Sequence, residues 1–111
     1  MATREHFSVD TNGSAIQIAS VATPGTLVHT NADSVRDEVW ASVTNTHTAD
    51  EIVNCLFGDT GTNSKITLVV PTGETMLLIP GLRMGSAGVF RVWAATTTNK
   101  FRVAGYYNRL V

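Results

Sequence analysis

The residues of this 111-residue chain that could attack a bond, move a proton or hold a metal are few: three histidines, one cysteine and nine carboxylates. His6, His29 and His47 each stand alone. None belongs to an HxH, HExxH or HxxxH pair, the spacings that turn two imidazoles towards one ion. The nearest cluster is HTADE, where His47, Asp50 and Glu51 have the ligand types for a divalent cation; the same types make up an ordinary solvated turn, and the turn is the expectation. Cys55 sits inside the apolar run EIVNCLFG, the setting of a buried, unreactive thiol, with no neighbouring cation to favour the thiolate. A lone cysteine also excludes an internal disulfide and a thiol-based zinc site. Ser42 and Ser86 lack the G-x-S-x-G context of a strained nucleophile turn. The stretch GDTGTNSK, from Gly58 to Lys65, has a passing likeness to a phosphate loop, but without GK[ST] spacing or a following helix it reads as a hairpin loop. The acids lie in or beside turns, where nothing marks one as desolvated for glycoside hydrolysis. These residues predict no catalytic set, no metal site and no cofactor, and hence a protein that is not an enzyme.

The large aromatic side chains open a different possibility. Exposed Trp and Tyr on an antiparallel sandwich can stack on sugar rings, which would make a host-surface glycan a partner of Trp40, Trp93, Tyr106 and Tyr107. Such residues more often fill a core or a subunit interface, and that reading is preferred.

Composition narrows the class further. Hydrophobic residues make up 43% of the chain, an ordinary value, but charged residues only 15%, where about 25% is typical. A surface built of Thr, Ser, Asn and Ala in place of charges suits a protein that faces other protein. The net charge of -1 offers no cationic field for nucleic acid. No apolar stretch approaches the roughly 18 residues of a membrane helix, and the opening MATREHFSVD lacks the apolar core of a signal peptide, so the expectation is a soluble chain made in the cytoplasm.

The elements that would position any site are strands. Period-two alternation recurs from about Ser14 onward, and no window of useful length keeps a helical period. Strands are predicted at Ala15 to Ala22, Thr26 to Thr30, Glu38 to Asn45, Ile52 to Gly58, Lys65 to Val70, Thr75 to Ile79, Val89 to Ala95 and Lys100 to Leu110. Turn signals separate them, among them Pro24-Gly25, Pro71 to Gly73, Pro80-Gly81 and Thr98-Asn99. About eight short strands at this spacing describe an all-β fold, an antiparallel β-sandwich or barrel over residues 14–111. Residues 1–13, polar and without period, read as an N-terminal arm. One or two helical turns at Asn31 to Arg36, capped by Asn31, would serve as a connector. In Glu38 to Thr44 the set Val39, Ala41, Val43 faces a core and Trp40, Ser42, Thr44 faces away. Phe90, Val92 and Ala94 oppose Val89, Arg91 and Trp93 in the same manner, and Phe101, Val103 and Gly105 oppose Arg102, Ala104 and Tyr106. Trp40, Trp93 and Tyr106 thus point outward and need a partner.

The run VWASVTNTHTADEIVNCLFGD, followed by KITLVVPTGETMLLIPGLRMGSAGVFRVWAATTTNKFRVAGYYNRLV, resembles small virion proteins of tailed bacteriophages. The shared features are a strand ending in VTN, a P-x-G-E-T turn, an apolar run into L-x-x-G, a strand like VRVWAS and a closing strand near v-x-G-Y. The likeness covers about Val39 to Val111 and leaves the N-terminal third unmatched. It implies a non-enzymatic structural subunit on the virion. A capsid decoration (cement) protein on the shell exterior is favoured, acting as a homo-oligomer, most simply a trimer, on the major capsid protein. A collar, neck or tail accessory subunit, such as an adaptor or fibre base, is the alternative. Under this reading Leu82, Arg83 and Met84 lie at a loop tip, and together with Trp40, Trp93, Arg91 and Tyr106 they form the candidate interface.

Overall fold

Alternation along the two longest central strands sets how everything else packs. In β4 (Arg36–Asn45) the side chains of Asp37, Val39, Ala41, Val43 and Asn45 are buried, while those of Glu38, Trp40, Ser42 and Thr44 are only partly covered. β9 (Phe101–Leu110) runs antiparallel beside it and sets Arg109, Tyr107, Gly105, Val103 and Phe101 opposite that buried set, residue for residue. The inward and outward faces expected for both strands are those observed.

The computed structural model describes residues 2–8, 14–31, 36–59, 61, 64–85 and 87–110. Among them are nine strands and no α-helix, with antiparallel pairing throughout, in two sheets. In the five-stranded sheet β4 lies between β9 and β7 (Thr75–Met84), and the far side of β9 pairs with β1 (Ala2–Glu5) at one end and β2 (Ile16–Ile18) at the other. The four-stranded sheet runs in the order β3 (Thr26–Thr30), β8 (Val89–Ala94), β5 (Glu51–Gly58), β6 (Lys65–Val70). Val39, Val43, Ile79, Phe101 and Val103 of one sheet share a core with Val28, Val53, Val70, Phe90 and Val92 of the other. This is an all-β sandwich. The radius of gyration is 13.2 Å, the value of about 13 Å expected of a single packed domain this long.

The expected strands Thr26–Thr30 and Lys65–Val70 have the observed bounds, and four others differ by one or two residues. Three departures have physical reasons. The stretch Ala15 to Ala22 keeps only Ile16–Ile18 as strand, because β9 begins at Phe101 and the Ser20 carbonyl turns to the other sheet, where it accepts from the Ala94 amide. β7 continues through Pro80-Gly81 to Met84, where a turn was expected; it is an edge strand, and the register shifts beside Trp40 and Ala41 let it take up a proline without losing its neighbour. Of the expected arm, Ala2–Glu5 pairs with Tyr107–Leu110 and Phe7 is 1% exposed in the core, so these residues belong to the sandwich. Residues 9–13 of that arm, and 32–35 of the expected helical connector, lie outside the described residues.

The VTN and P-x-G-E-T signatures form one spatial unit. Asn45, fully buried, donates from Nδ2 to the carbonyls of Ala49 and Val70, each at 2.9 Å, and accepts the His47 amide on Oδ1 at 2.8 Å. Its own backbone accepts from Gly73 and donates to Glu74, both at 3.0 Å. The turn itself closes by Glu74 N–H to Pro71 C=O at 3.1 Å, with Gly73 at φ 75°, the left-handed third position of a type II turn. One asparagine therefore satisfies the end of β4 and fixes the crossing from β6 to β7 between the sheets.

Gly105 is where β9 and β4 come closest. A Cβ added there would lie 2.0 Å from the carbonyl oxygen of Trp40 and 2.9 Å from the Ala41 Cα. Gly105→Ala is expected to force the two central strands apart and to cost about 2 to 4 kcal/mol of stability. Thermal unfolding followed by circular dichroism checks it, and a midpoint within about 2 °C of the parent would show that the contact yields freely.

A candidate protein interface and a sealed ionic cluster

Register alone brings Trp40 and Tyr106 together, since they are cross-strand partners on the outward side of β4 and β9. Their ring centroids are 6.5 Å apart with the planes 21° from parallel, within the range of favourable aromatic pairs. The six-membered ring of Trp40 rests against Gly81 of β7, where an added Cβ would come within 2.5 Å of Cζ2. Its indole N–H donates to Glu38 Oε1 at 2.8 Å, and the Asn108 amide donates to the same oxygen at 3.1 Å. Those two hydrogen bonds, aided by the charge of Arg83, hold the Glu38 carboxyl below the usual carboxylate range. From β1, Arg4 lays its guanidinium 4.3 Å from the centre of the Tyr106 ring, a cation–π contact. A row of Arg4, Tyr106, Trp40 and Gly81 thus crosses four strands of one sheet.

The expected interface residues divide. Trp40, Tyr106 and Arg83 share this face, and Leu82 on the edge strand is 40% exposed. Met84 is not at a loop tip: it is the last residue of β7, 1% exposed, and part of the core. Trp93 and Arg91 lie on the outward side of the other sheet, and Trp93 is only 6% exposed. The turn that follows the cis Thr23–Pro24 peptide covers it, with Gly25 packed so near that a Cβ would sit 3.1 Å from Trp93 Cε3. The Arg91 guanidinium donates to the Gly25 carbonyl at 3.2 Å. Arg91 and Trp93 thus hold a loop of their own chain. The exposed apolar surface of that sheet is instead the cross-strand pair Ile52 and Val69.

At the end of the sandwich nearest Phe7, three side chains unremarkable in sequence meet. Asp37 of β4 and His29 of β3 are both fully buried. Arg109 of β9 donates from Nε to Asp37 Oδ1 at 2.9 Å and from a terminal nitrogen to Oδ2 at 3.0 Å, a bidentate pair. The backbone N–H of Ser8 donates to His29 Nδ1 at 3.1 Å, which leaves Nε2 as the protonated nitrogen, donating to Asp37 Oδ2 at 2.7 Å. The His29 ring also packs 4.2 Å from that of Tyr107 and 5.9 Å from that of Phe7.

An Asp–His pair is two-thirds of a hydrolase triad, but this one lacks a nucleophile. The remaining ring nitrogen is occupied by a backbone amide, and the Ser8 hydroxyl accepts the Thr30 N–H at 2.9 Å. Its chemistry is that of a clamp: a neutral histidine and a compensated carboxylate tie β3 of one sheet to β4 and β9 of the other, with the N-terminal segment as the fourth member. Alternation held the signal. Asp37 continues the inward set Val39, Ala41, Val43, and Arg109 continues Phe101, Val103, Tyr107.

The loop and thiol candidates are accounted for in the same way. His47 Nδ1 lies 2.9 Å from Glu51 Oε1, Glu51 also accepts from Thr96 and Thr97, and Asp50 accepts the Thr72 amide. Asp59 accepts from the Gly61 amide and the Ser64 hydroxyl, closing the loop that resembled a phosphate cradle. Burial pushes the Cys55 thiol up to about 12. Among the described residues no group of three or more His, Cys, Asp or Glu is placed to hold a metal ion. The chain matches no family model, no curated protein and no solved structure.

Two predictions follow from the clamp. Arg109→Leu strands a buried carboxylate and is expected to cost about 3 kcal/mol, read as a lower urea midpoint at unchanged slope. The second concerns pH. Burial lowers the His29 pKa beneath 6.5, outweighing the pull of Asp37, so folding favours the neutral ring. Burial would raise Asp37, but hydrogen bonds from Arg109 and His29 and the Arg109 charge outweigh it and leave the carboxyl lowered. Both groups bind protons more tightly in the unfolded chain, so stability is complete above about pH 7 and falls in two stages, first below about pH 6.5 and again below about pH 4. Urea midpoints from pH 8 to pH 3 test this, with His29→Gln expected to remove the upper stage and keep the lower.

Proposed function

We propose that this chain is a structural protein of a tailed-bacteriophage virion, a decoration (cement) subunit that binds the outside of the capsid shell as a homo-oligomer and has no enzymatic role. The observation that carries the reading is the outward row of Arg4, Tyr106 and Trp40 on a rigid sheet whose ionisable core groups are sealed and mutually satisfied. Such a domain offers contact surface and keeps His29 away from solvent. The likeness of Val39 to Val111 to small virion proteins supports the same reading, and the exposed Ile52 and Val69 on the opposite sheet offer apolar area for contact between copies. A cement protein stabilises a shell by mass action, because it binds the assembled state and not free capsid subunits.

The test has two parts. Light scattering of the purified protein should give a small closed oligomer, a trimer in the simplest case. Imaging of particles with and without the protein should place it over the shell surface, with Trp40→Ala weakening particle binding by about 30-fold. Density confined to the portal vertex would move the protein to the collar or tail, and absence from all particles would end the virion reading. A glycan-binding role is a second reading, favoured by the Trp40–Tyr106 face with Glu38 and Asn108 beside it. It requires that soluble glycans quench tryptophan fluorescence in the parent and not in Trp40→Ala.

A further inference from the structure

Charge on the outer face of the five-stranded sheet is lopsided. Among the described residues Arg4, Arg36, Arg83 and Arg102 lie on it against one carboxylate, Glu38. The whole chain has 8 basic and 9 acidic side chains, so half of its cations occupy one face of one sheet. Three of the four lie together on one side of the aromatic pair, towards the start of β4. Arg4 covers Tyr106, Arg83 is the register partner of Glu38, and Arg36 precedes Glu38 by one alternation of β4. Glu38 accepts from Trp40 and Asn108, so one of its carboxylate oxygens is already committed.

We infer that this face docks on a protein surface rich in carboxylates, with Trp40 and Tyr106 as its aromatic anchor and Arg4, Arg36 and Arg83, grouped beside them, pairing with acidic side chains. The inference rests on the shell-binding reading and gives that partner its chemistry. Trp, Tyr and Arg are the side chains that dominate binding energy at protein interfaces. Guanidinium forks match carboxylates bidentately. The stacking of Arg4 on Tyr106 already restricts one such fork, so less freedom is lost on binding. A second copy of this face is the wrong partner, because like charges would meet. Nucleic acid fits less well, since phosphate binding draws on many cations and the chain carries a net charge of -1.

The experiment uses purified protein, particles prepared without it, immobilised poly-L-glutamate and a single-stranded oligonucleotide, each at low and high salt. The parent is compared with Arg4→Gln/Arg83→Gln and with Lys65→Gln, a charge removed from the other sheet, after melting curves show all three folded. The expected result is salt-sensitive binding of the parent to particles and to polyglutamate, weakened about tenfold or more in the arginine pair and unchanged in Lys65→Gln. Equal particle binding by all three proteins overturns the docking face and leaves the shell reading standing. Arginine-dependent binding to polyglutamate without binding to particles supports the acidic partner and removes the shell. Binding to the oligonucleotide and not to polyglutamate overturns the inference in favour of a phosphate surface, and binding to none of the three overturns it together with the shell reading.

Discussion

Asp37 sits where water does not reach, and the fold around it is arranged so that its charge is answered from two directions. Arg109 meets it within the same sheet and His29 meets it from the facing sheet. An uncompensated carboxylate at this depth would be untenable, so the relative placement of the two sheets at this end is fixed by electrostatics as well as by apolar contact. The N-terminal segment depends on the same arrangement, because His29 can accept the Ser8 amide only while it stays neutral. Phe7 then lies against His29 and Phe90. A short strand with little sequence signature is thereby held at both ends, by β9 through its backbone and by the ionic cluster through Ser8.

The two outer faces of the sandwich divide their labour. On the four-stranded sheet, Trp93 and Arg91 hold the Gly25 turn, and the Thr67 hydroxyl donates to Asn54 Oδ1 at 2.8 Å. That face commits Trp93 and Arg91 to its own chain. On the five-stranded sheet, Trp40 and Tyr106 lie against one another and Gly81, and their remaining surface turns outward with Arg4 above. The rings are oriented before any partner arrives, which lowers the entropy lost on contact.

Much of this was legible in the chain, and the exceptions are instructive. β3 and β6 carry enough β-branched and apolar alternation, bounded by turn residues, to be read in isolation. β1 was not legible because ATRE has no strand character of its own; its conformation is imposed by the open side of β9. Alternation gives Trp93 its outward side, but it reports direction and not cover, so the loop over Trp93 is not legible in it. The burial of Met84 is hidden because Pro80-Gly81 has the residues of a chain reversal, yet β7 continues through them. The ionic cluster unites residues far apart in the chain, and sequence separation conceals such a meeting even when each member's facing can be read.

The irregular course of β7 bears on what the protein can do in a crowd. An unpaired strand is a template on which another chain can add, and repetition of that step builds fibres without end. Pro80 deletes one donor from this border, and the shifts of register beside Trp40 and Ala41 break its straight run. Copies packed closely on one particle, as proposed, would then meet through side chains on finite faces, and backbone-to-backbone polymerisation would find no long, even margin along β7 on which to begin.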